Sequence, residues 1–248
     1  MPRVDLNCDL GEGAGHDAEL MPFITSANIA CGVHAGDERA MRATVRLARE
    51  HGVAIGAHPG LDDREHFGRR ELPVTPEEVH QLVLTQTQAL QRIARDAGAA
   101  VRHVKPHGAL YNMSARDEAL AAAVARGVYE ADPRLVLFGL AGSALLRAGQ
   151  ACGLEVASEV FADRTYQAEG ALTPRSRAGA VIADEETAVA QVLRMVREGK
   201  VRAMDGADVS VRADTVCLHG DGPHAVAFAR RLSEALKAAG VDLKPNGA

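Results

Sequence analysis

Short apolar runs alternate with amphipathic stretches along the whole chain. Runs at 4–10, 27–31, 53–57, 101–104, 135–139, 155–161 and 215–218 have the length of strands. Between them, apolar positions recur every three or four residues, the spacing of one helix face. The plainest helix opens at Thr75-Pro76-Glu77-Glu78, a capping box with Pro at the first helical position. Val79, Leu82, Val83, Leu90, Ile93 and Ala94 form its stripe, and Gly98 closes it. Asp37 is the expected N-cap of a helix that ends at Gly52, with Met41, Thr44, Val45, Leu47 and Ala48 on one side. Ser114 is the expected cap of another, with Leu120, Val124 and Val128 inward and Asp132-Pro133 as its stop. Further helices are expected over 18–24, from the fifth strand to Cys152, from Asp184 to Gly199, and around Val226, Leu232 and Leu236. Residues 63–72 are charged and irregular and read as a mobile loop over the strand ends. Residues 167–183 read as a long loop, and 201–212 fit neither period.

About seven strand–helix units follow one another with no break in composition. That predicts one domain over 1–248, a parallel sheet covered by helices. Polar residues stand at nearly every strand exit. This favours a closed or nearly closed barrel, which gathers its chemistry in a ring, over an open doubly wound sheet, which gathers it at one switch point.

Composition narrows the partners. A net charge of −5 without a basic stripe gives no sign of nucleic acid, and aromatics are only 3% of the chain with no Trp to stack bases. No apolar run approaches the ~20 residues of a membrane span, and the first residues lack the apolar segment of a signal peptide. None of Cys8, Cys31, Cys152 and Cys217 forms a CxxC pair, so reduced thiols in the cytoplasm are expected.

If the strands are parallel, one face collects Asp9, Glu12, Asn28, His34, Asp37, His58, Asp62, Lys105, His107, Tyr111, Glu159, Asp163, Arg164, His219 and Asp221. Four histidines at corresponding strand exits are hard to explain by packing, and a shared active site is expected there. Some members have blander roles open to them. Asp37 caps its helix, Glu12 and Asp62 can satisfy turn amides, and Tyr111 can be a rim aromatic. His51 and His80 are expected to be exposed helix residues, and Pro59 and Pro106 are candidates for cis peptides.

Two chemistries fit the set. Asp9 with His58 and His107 could hold a divalent metal with a position open for water. Alternatively, Asp and His groups act as acid and base while Lys105 and Arg164 hold an anion. Gly220-Asp221-Gly222-Pro223 opens the last helix, where barrels commonly take a phosphate. There is no P-loop motif and no nucleophile elbow.

Six motifs in order carry a resemblance. They are Asp5-Leu-Asn-Cys-Asp-Leu-Gly-Glu12, Ser26-Ala-Asn-Ile-Ala-Cys-Gly-Val-His-Ala-Gly-Asp37, Gly56-Ala-His-Pro-Gly60, Val104-Lys-Pro-His-Gly-Ala-Leu-Tyr-Asn112, Glu159-Val-Phe-Ala-Asp-Arg-Thr-Tyr166 and Leu218-His-Gly-Asp221. Together they resemble the LamB/YcsF family, whose members are the A subunit of ATP-dependent 5-oxoprolinase. The resemblance implies a distorted (β/α) barrel of the glycoside hydrolase/deacetylase-like kind. It implies opening of 5-oxo-L-proline to L-glutamate with hydrolysis of ATP, a complex with the B and C subunits, and a divalent cation, either Mg with ATP or a bound transition metal. Within it, Lys105 and Arg164 are expected on anions and Asp9 or Asp163 as the base. His34, His58 and His107 are expected as proton carriers or ligands. Glu12, Asn28, Tyr111, His219 and Asp221 are expected on substrate or phosphate. A metal-dependent amide hydrolase without ATP and a non-catalytic scaffold are the alternatives.

Overall fold

The computed structural model describes residues 2–220, 222 and 224–247. In chain order the strands are β1 (Arg3–Leu10), β2 (Ser26–Ala30), β3 (Ala54–His58), β4 (Val101–Val104), β5 (Val136–Leu140), β6 (Val156–Phe161), β7 (Lys200–Arg202), β8 (Asp208–Ser210), β9 (Thr215–His219) and β10 (Asp242–Leu243). β1 to β6 pair in sequence, all parallel, and β9 closes the ring by pairing with both β6 and β1. The expected closed barrel of seven parallel strands is therefore the fold. β10 adds a short pairing at the start of β1.

The helices are α1 (Asp17–Leu20), α2 (Glu38–His51), α3 (Pro76–Asp96), α4 (Gly108–Arg116), α5 (Glu118–Ala131), α6 (Ala144–Ala151), α7 (Glu185–Glu198) and α8 (Ala225–Ala238). Their starts follow the expected caps. Asp37 accepts from the Ala40 amide at 2.8 Å, Asp184 from Thr187 at 2.7 Å, and the Thr75–Glu78 capping box closes both ways. Ser114 does not cap. It lies in the last turn of α4, where its hydroxyl donates to the Leu110 carbonyl at 2.7 Å, a back-bond open to Ser inside a helix. Asp117 caps α5 instead, because its carboxylate reaches two amides, Ala119 and Leu120.

β1 shows how the barrel is filled. Val4, Leu6, Cys8 and Leu10 join the apolar core under the helices, while Asp5, Asn7 and Asp9 alternate with them and turn inward. The interior is thus polar on this side, and each group finds a partner. Asn7 donates to Glu159 at 2.9 Å and Thr215 at 2.7 Å. Thr215 and Ser26 donate to Asp5, and Asn28 donates to Asn7 and Asp9. His103 donates to Asn28 at 2.8 Å and stacks on Phe138, which forms a small separate apolar cluster with Val136 and Ala157. Gly56 faces this ring, and any Cβ there would overlap the His103 imidazole.

Three surface expectations change. The segment 63–72 is tied down. Asp63 is buried against Arg70 and His66, and Arg64 donates to the carbonyls of Gly32 and Gly36 at 2.6 and 2.7 Å. His80 is buried, 9% exposed, against Glu130 at 2.9 Å, because the α3 face that carries it meets α5. Residues 167–183 form a folded strap, with bridges Arg164↔Val181 and Tyr166↔Leu172, and 201–212 contains the antiparallel hairpin β7–β8. No peptide bond among the described residues is cis, so Pro59 and Pro106 follow trans bonds. No helix among them is long and apolar enough to cross a membrane.

Candidate active site

The parallel register brings the strand exits together. Asp9 lies opposite Asn28 on one side and His219 on the other. Above these ends opens a cavity of about 830 Å³ lined by Asp9, His58, Lys105, His107, Tyr111, Arg164, Arg175 and His219 among others.

Lys105 is its floor. The ammonium lies 2.9 Å from Asp9, 3.0 Å from Glu159 and 2.9 Å from Cys217 Sγ. Burial opposes its charge, but Asp9 and the neighbouring acids outweigh burial and raise its pKa well above the ordinary value. Burial likewise pushes the Asp9 carboxyl up, yet His58 and Lys105 hold it well below the usual carboxylate range. Two carboxylates already neutralise this lysine, so a substrate anion needs another cation.

The first wall is a histidine cluster. His34 and His107 stack with centroids 3.9 Å apart and planes parallel to within 2°. His58 stands edge-on to His107, its Nε2 2.9 Å from His107 Nδ1. Glu12 Oε1 lies 3.4 Å from His34 Nε2, 3.4 Å from His107 Nδ1 and 3.8 Å from His58 Nε2. Burial, then the charge of His58, lowers the pKa of His34 to about 3 and that of His107 well below normal, so both rings are neutral near pH 7. Gly60 makes room for this stack, since a Cβ there would press on the His34 ring.

The second wall is an Asp–His pair. Asp163 Oδ2 lies 2.7 Å from His219 Nδ1, and His219 Nε2 accepts from Arg175 at 3.1 Å. A carboxylate can only accept here, so it fixes the proton on Nδ1 and leaves Nε2 facing the cavity. Burial pushes the Asp163 carboxyl up, and His219 more than reverses that shift. Tyr111 is buried on the floor side; burial, and Glu159 beside it, push its phenol well up.

Most of the expected residues therefore meet: Asp9, Glu12, His34, His58, Lys105, His107, Tyr111, Asp163 and His219. Asn28 differs from expectation. It is fully buried within the barrel, where both ends of its amide are used by Asn7, Asp9 and His103, so it positions the floor instead of meeting a ligand. Arg164 lines the cavity, but its guanidinium donates to the carbonyls of Thr173 and Ala180 and holds the strap. Asp37 caps α2, and Asp62 is exposed. Asp221 and Pro223, in the turn expected to take a phosphate, lie outside the described residues.

Sequence reading missed Asn7, His103, Thr215, Cys217 and Arg175. The polar–apolar alternation of Asp5-Leu-Asn-Cys-Asp9 was a signal for the first of these. Arg175 sits in an aperiodic strap and left no such trace.

The donor chemistry fits a divalent cation: Glu12, His34, His58 and His107 offer ligand atoms all within 4.8 Å of one another, as do Asp9, Cys217 and His219. Fold and site together define a deacetylase-like (β/α) barrel with a cavity rich in histidine and carboxylate at its strand ends. A structure described as a deacetylase with substrate superposes with a TM-score of 0.53 at 15% identity over 98% of this chain and 87% of its own, a likeness of fold alone. The model of the LamB/YcsF family matches residues 4–248, and the chain belongs to that family. A Geobacillus kaustophilus relative, named as the A subunit of 5-oxoprolinase, is 57% identical, covering 98% of this chain and 97% of its own. The crystal structure of a lactam utilization protein from Thermus thermophilus matches with a TM-score of 0.91 at 48% identity, covering 98% and 99%.

Proposed function

We propose that the chain is the lactam-opening component of a cytoplasmic, ATP-dependent 5-oxoprolinase, acting with the B and C subunits to convert 5-oxo-L-proline to L-glutamate. The observation that carries this reading is the 57% identity, across nearly the whole of both chains, to a relative named as the A subunit of 5-oxoprolinase. The four unpaired cysteines suit a reducing compartment.

A five-membered lactam is a stable amide whose nitrogen leaves poorly. Phosphoryl transfer from ATP to the lactam oxygen gives an imidate phosphate and ADP. Water adds to the activated carbon, the C–N bond breaks as the nitrogen takes a proton, and a γ-glutamyl phosphate remains. A second water releases phosphate and glutamate. His219, held by Asp163 on one side and bonded by Arg175 on Nε2, suits the proton transfers once substrate takes the place of the Arg175 bond. Arg175 and Arg69 at the cavity wall suit the carboxylate and phosphate. Lys105, on the floor between Asp9 and Glu159, holds those two carboxylates in place beneath the substrate.

Glutamate release is measured with this chain alone and with its B and C partners, with and without ATP. Turnover confined to the full complex with ATP supports the reading; a folded, assembled complex that never releases glutamate defeats it. A metal-dependent amide hydrolase needing no ATP is the second reading, favoured by the Glu12–His34–His58–His107 donors. Release by the chain alone without ATP would establish it.

A further inference from the structure

The bond from Arg175 to His219 disables the Asp163–His219 pair. Asp163 fixes the His219 proton on Nδ1, and Arg175 donates to Nε2 at 3.1 Å. A neutral imidazole held at both nitrogens has no free lone pair and no transferable proton on the cavity side. The pair can work only after the guanidinium leaves Nε2, and only a better acceptor draws it away. A carboxylate is one. It offers a guanidinium two parallel bonds and an opposite charge, where the imidazole offers one bond and no charge. Arg175 is placed to make that move. It stands in an exposed turn of the strap, closed by the Arg177 amide on the Pro174 carbonyl at 2.9 Å. The turn is anchored on either side, since Arg164 donates to the Thr173 carbonyl at 2.6 Å and Thr165 to the Gly179 carbonyl at 2.9 Å. The long side chain can therefore swing while the strap stays in place. Among the described residues its guanidinium forms no ion pair with a carboxylate. Arg164 lines the same cavity, and burial, then the charge of Arg175, lowers its pKa. The two guanidiniums thus repel, and an anion beside them relieves that repulsion.

We infer that Arg175 determines specificity by exchanging His219 for the substrate's carboxylate, so that a lactam with a carboxylate beside its ring nitrogen frees His219 and a neutral lactam leaves it blocked. The inference rests on the lactam-opening reading above and names the feature of the substrate that the site requires. Binding energy from a group remote from the reacting bond is here used to assemble the site. A substrate that lacks the group then loses turnover rate and not only affinity. The same exchange keeps the Asp163–His219 pair out of action while the cavity holds no anion.

The test compares 5-oxoproline with pyrrolidinone, the same ring without the carboxylate, each at saturating concentration. The first readout needs no turnover. Nitrogen NMR of the full chain follows His219 Nε2, assigned with His219→Asn. 5-Oxoproline should shift this signal in the wild type and pyrrolidinone should not, and in Arg175→Ala the signal should start displaced. Equal shifts with both lactams, no shift with 5-oxoproline, or an unaltered starting signal in Arg175→Ala would each overturn the exchange. The second readout is primary-amine release by the complex with the B and C subunits and ATP. The wild type should open 5-oxoproline at least about 100-fold faster than pyrrolidinone. In Arg175→Ala the KM for 5-oxoproline should rise about 10–100-fold, the usual worth of a hydrogen bond to a charged group. Its kcat for pyrrolidinone should rise about tenfold or more, because no arginine then occupies Nε2. A fall in both activities together would make Arg175 a general support of the site and overturn its role in specificity. A complex that opens neither lactam defeats the lactam-opening reading, and the His219 signal still decides the Arg175 exchange.

Discussion

Lys105 is a residue whose loss would be misread in an activity assay. It separates Asp9 from Glu159 at 2.9 and 3.0 Å, all three buried. Removing one partner of a buried ion pair strands the rest, at about 3–5 kcal/mol. Lys105→Ala is therefore expected to unfold at markedly lower urea, and its lost turnover would report on folding before chemistry. His219 is the cleaner probe. It sits at the cavity wall, partly exposed, bonded to Asp163 and Arg175 and stacked on Phe161, and it makes none of the hydrogen bonds that tie Lys105 to Asp9 and Asn7. His219→Asn should keep the wild-type urea midpoint, while turnover of the reconstituted complex falls about 10²–10⁴-fold, the usual worth of a positioned acid or base. Equal turnover in that variant would remove His219 from the reaction. Gly56 makes a third case, since an alanine methyl would overlap His103. Overpacking of this kind costs typically about 1–3 kcal/mol, and Gly56→Ala is expected at or above the top of that range by thermal melting.

At the scale of elements, the strap after β6 depends on Arg164. Its guanidinium reaches the Thr173 and Ala180 carbonyls across the strap, and the Arg164↔Val181 bridge lies beside it. Arg164→Met should speed amide exchange across 165–181 by about tenfold or more, about 1.4 kcal/mol or more of lost local stability, while the barrel strands stay protected. Unchanged exchange in the strap would show that its other bonds, among them the Tyr166 hydroxyl on the Phe161 amide and Thr165 on the Gly179 carbonyl, hold it without the guanidinium. The barrel was legible in the sequence because strands and helices announced themselves by period, and caps such as Asp37, Thr75 and Asp184 fixed where helices begin. The start of α4 was not, because Gly108-Ala-Leu-Tyr follows a Pro-containing strand exit with no capping side chain at His107. Much of the candidate site was legible for a related reason: strand exits in a parallel barrel converge, so their polar residues become neighbours. The inner ring that supports it was hidden. His103 in Val101–Val104 looks like a polar edge residue until the barrel closes around it.

For the molecule as a whole, Asp5 sets a pH dependence. Burial raises its carboxyl from 3.8 to about 6, against the hydrogen bonds from Thr25, Thr215 and Ser26 that lower it. The folded pKa lies above the unfolded one, so this contribution is fully present below about pH 4 and is lost as pH rises through about 6. The shift corresponds to about 3 kcal/mol. The stability of the wild type minus that of Asp5→Asn should therefore fall by up to that amount between about pH 4 and pH 7, read from urea midpoints at each pH. A difference that stays flat would show that Asp5 is not the titrating group.

The hydrogen-bonded chain from Asp5 through Thr215 to Asn7, which then takes bonds from both Asn28 and Lys105, runs along the barrel axis where many barrels carry oil. Such an axle can change only in matched steps. A single substitution by a hydrocarbon leaves a donor or acceptor stranded several residues away, whereas the helical shell can drift one residue at a time. The floor of the cavity and the far end of the barrel are thus one inheritance unit, and redesign of this protein toward another substrate is freest on the strap and the loop tips, which stand outside it.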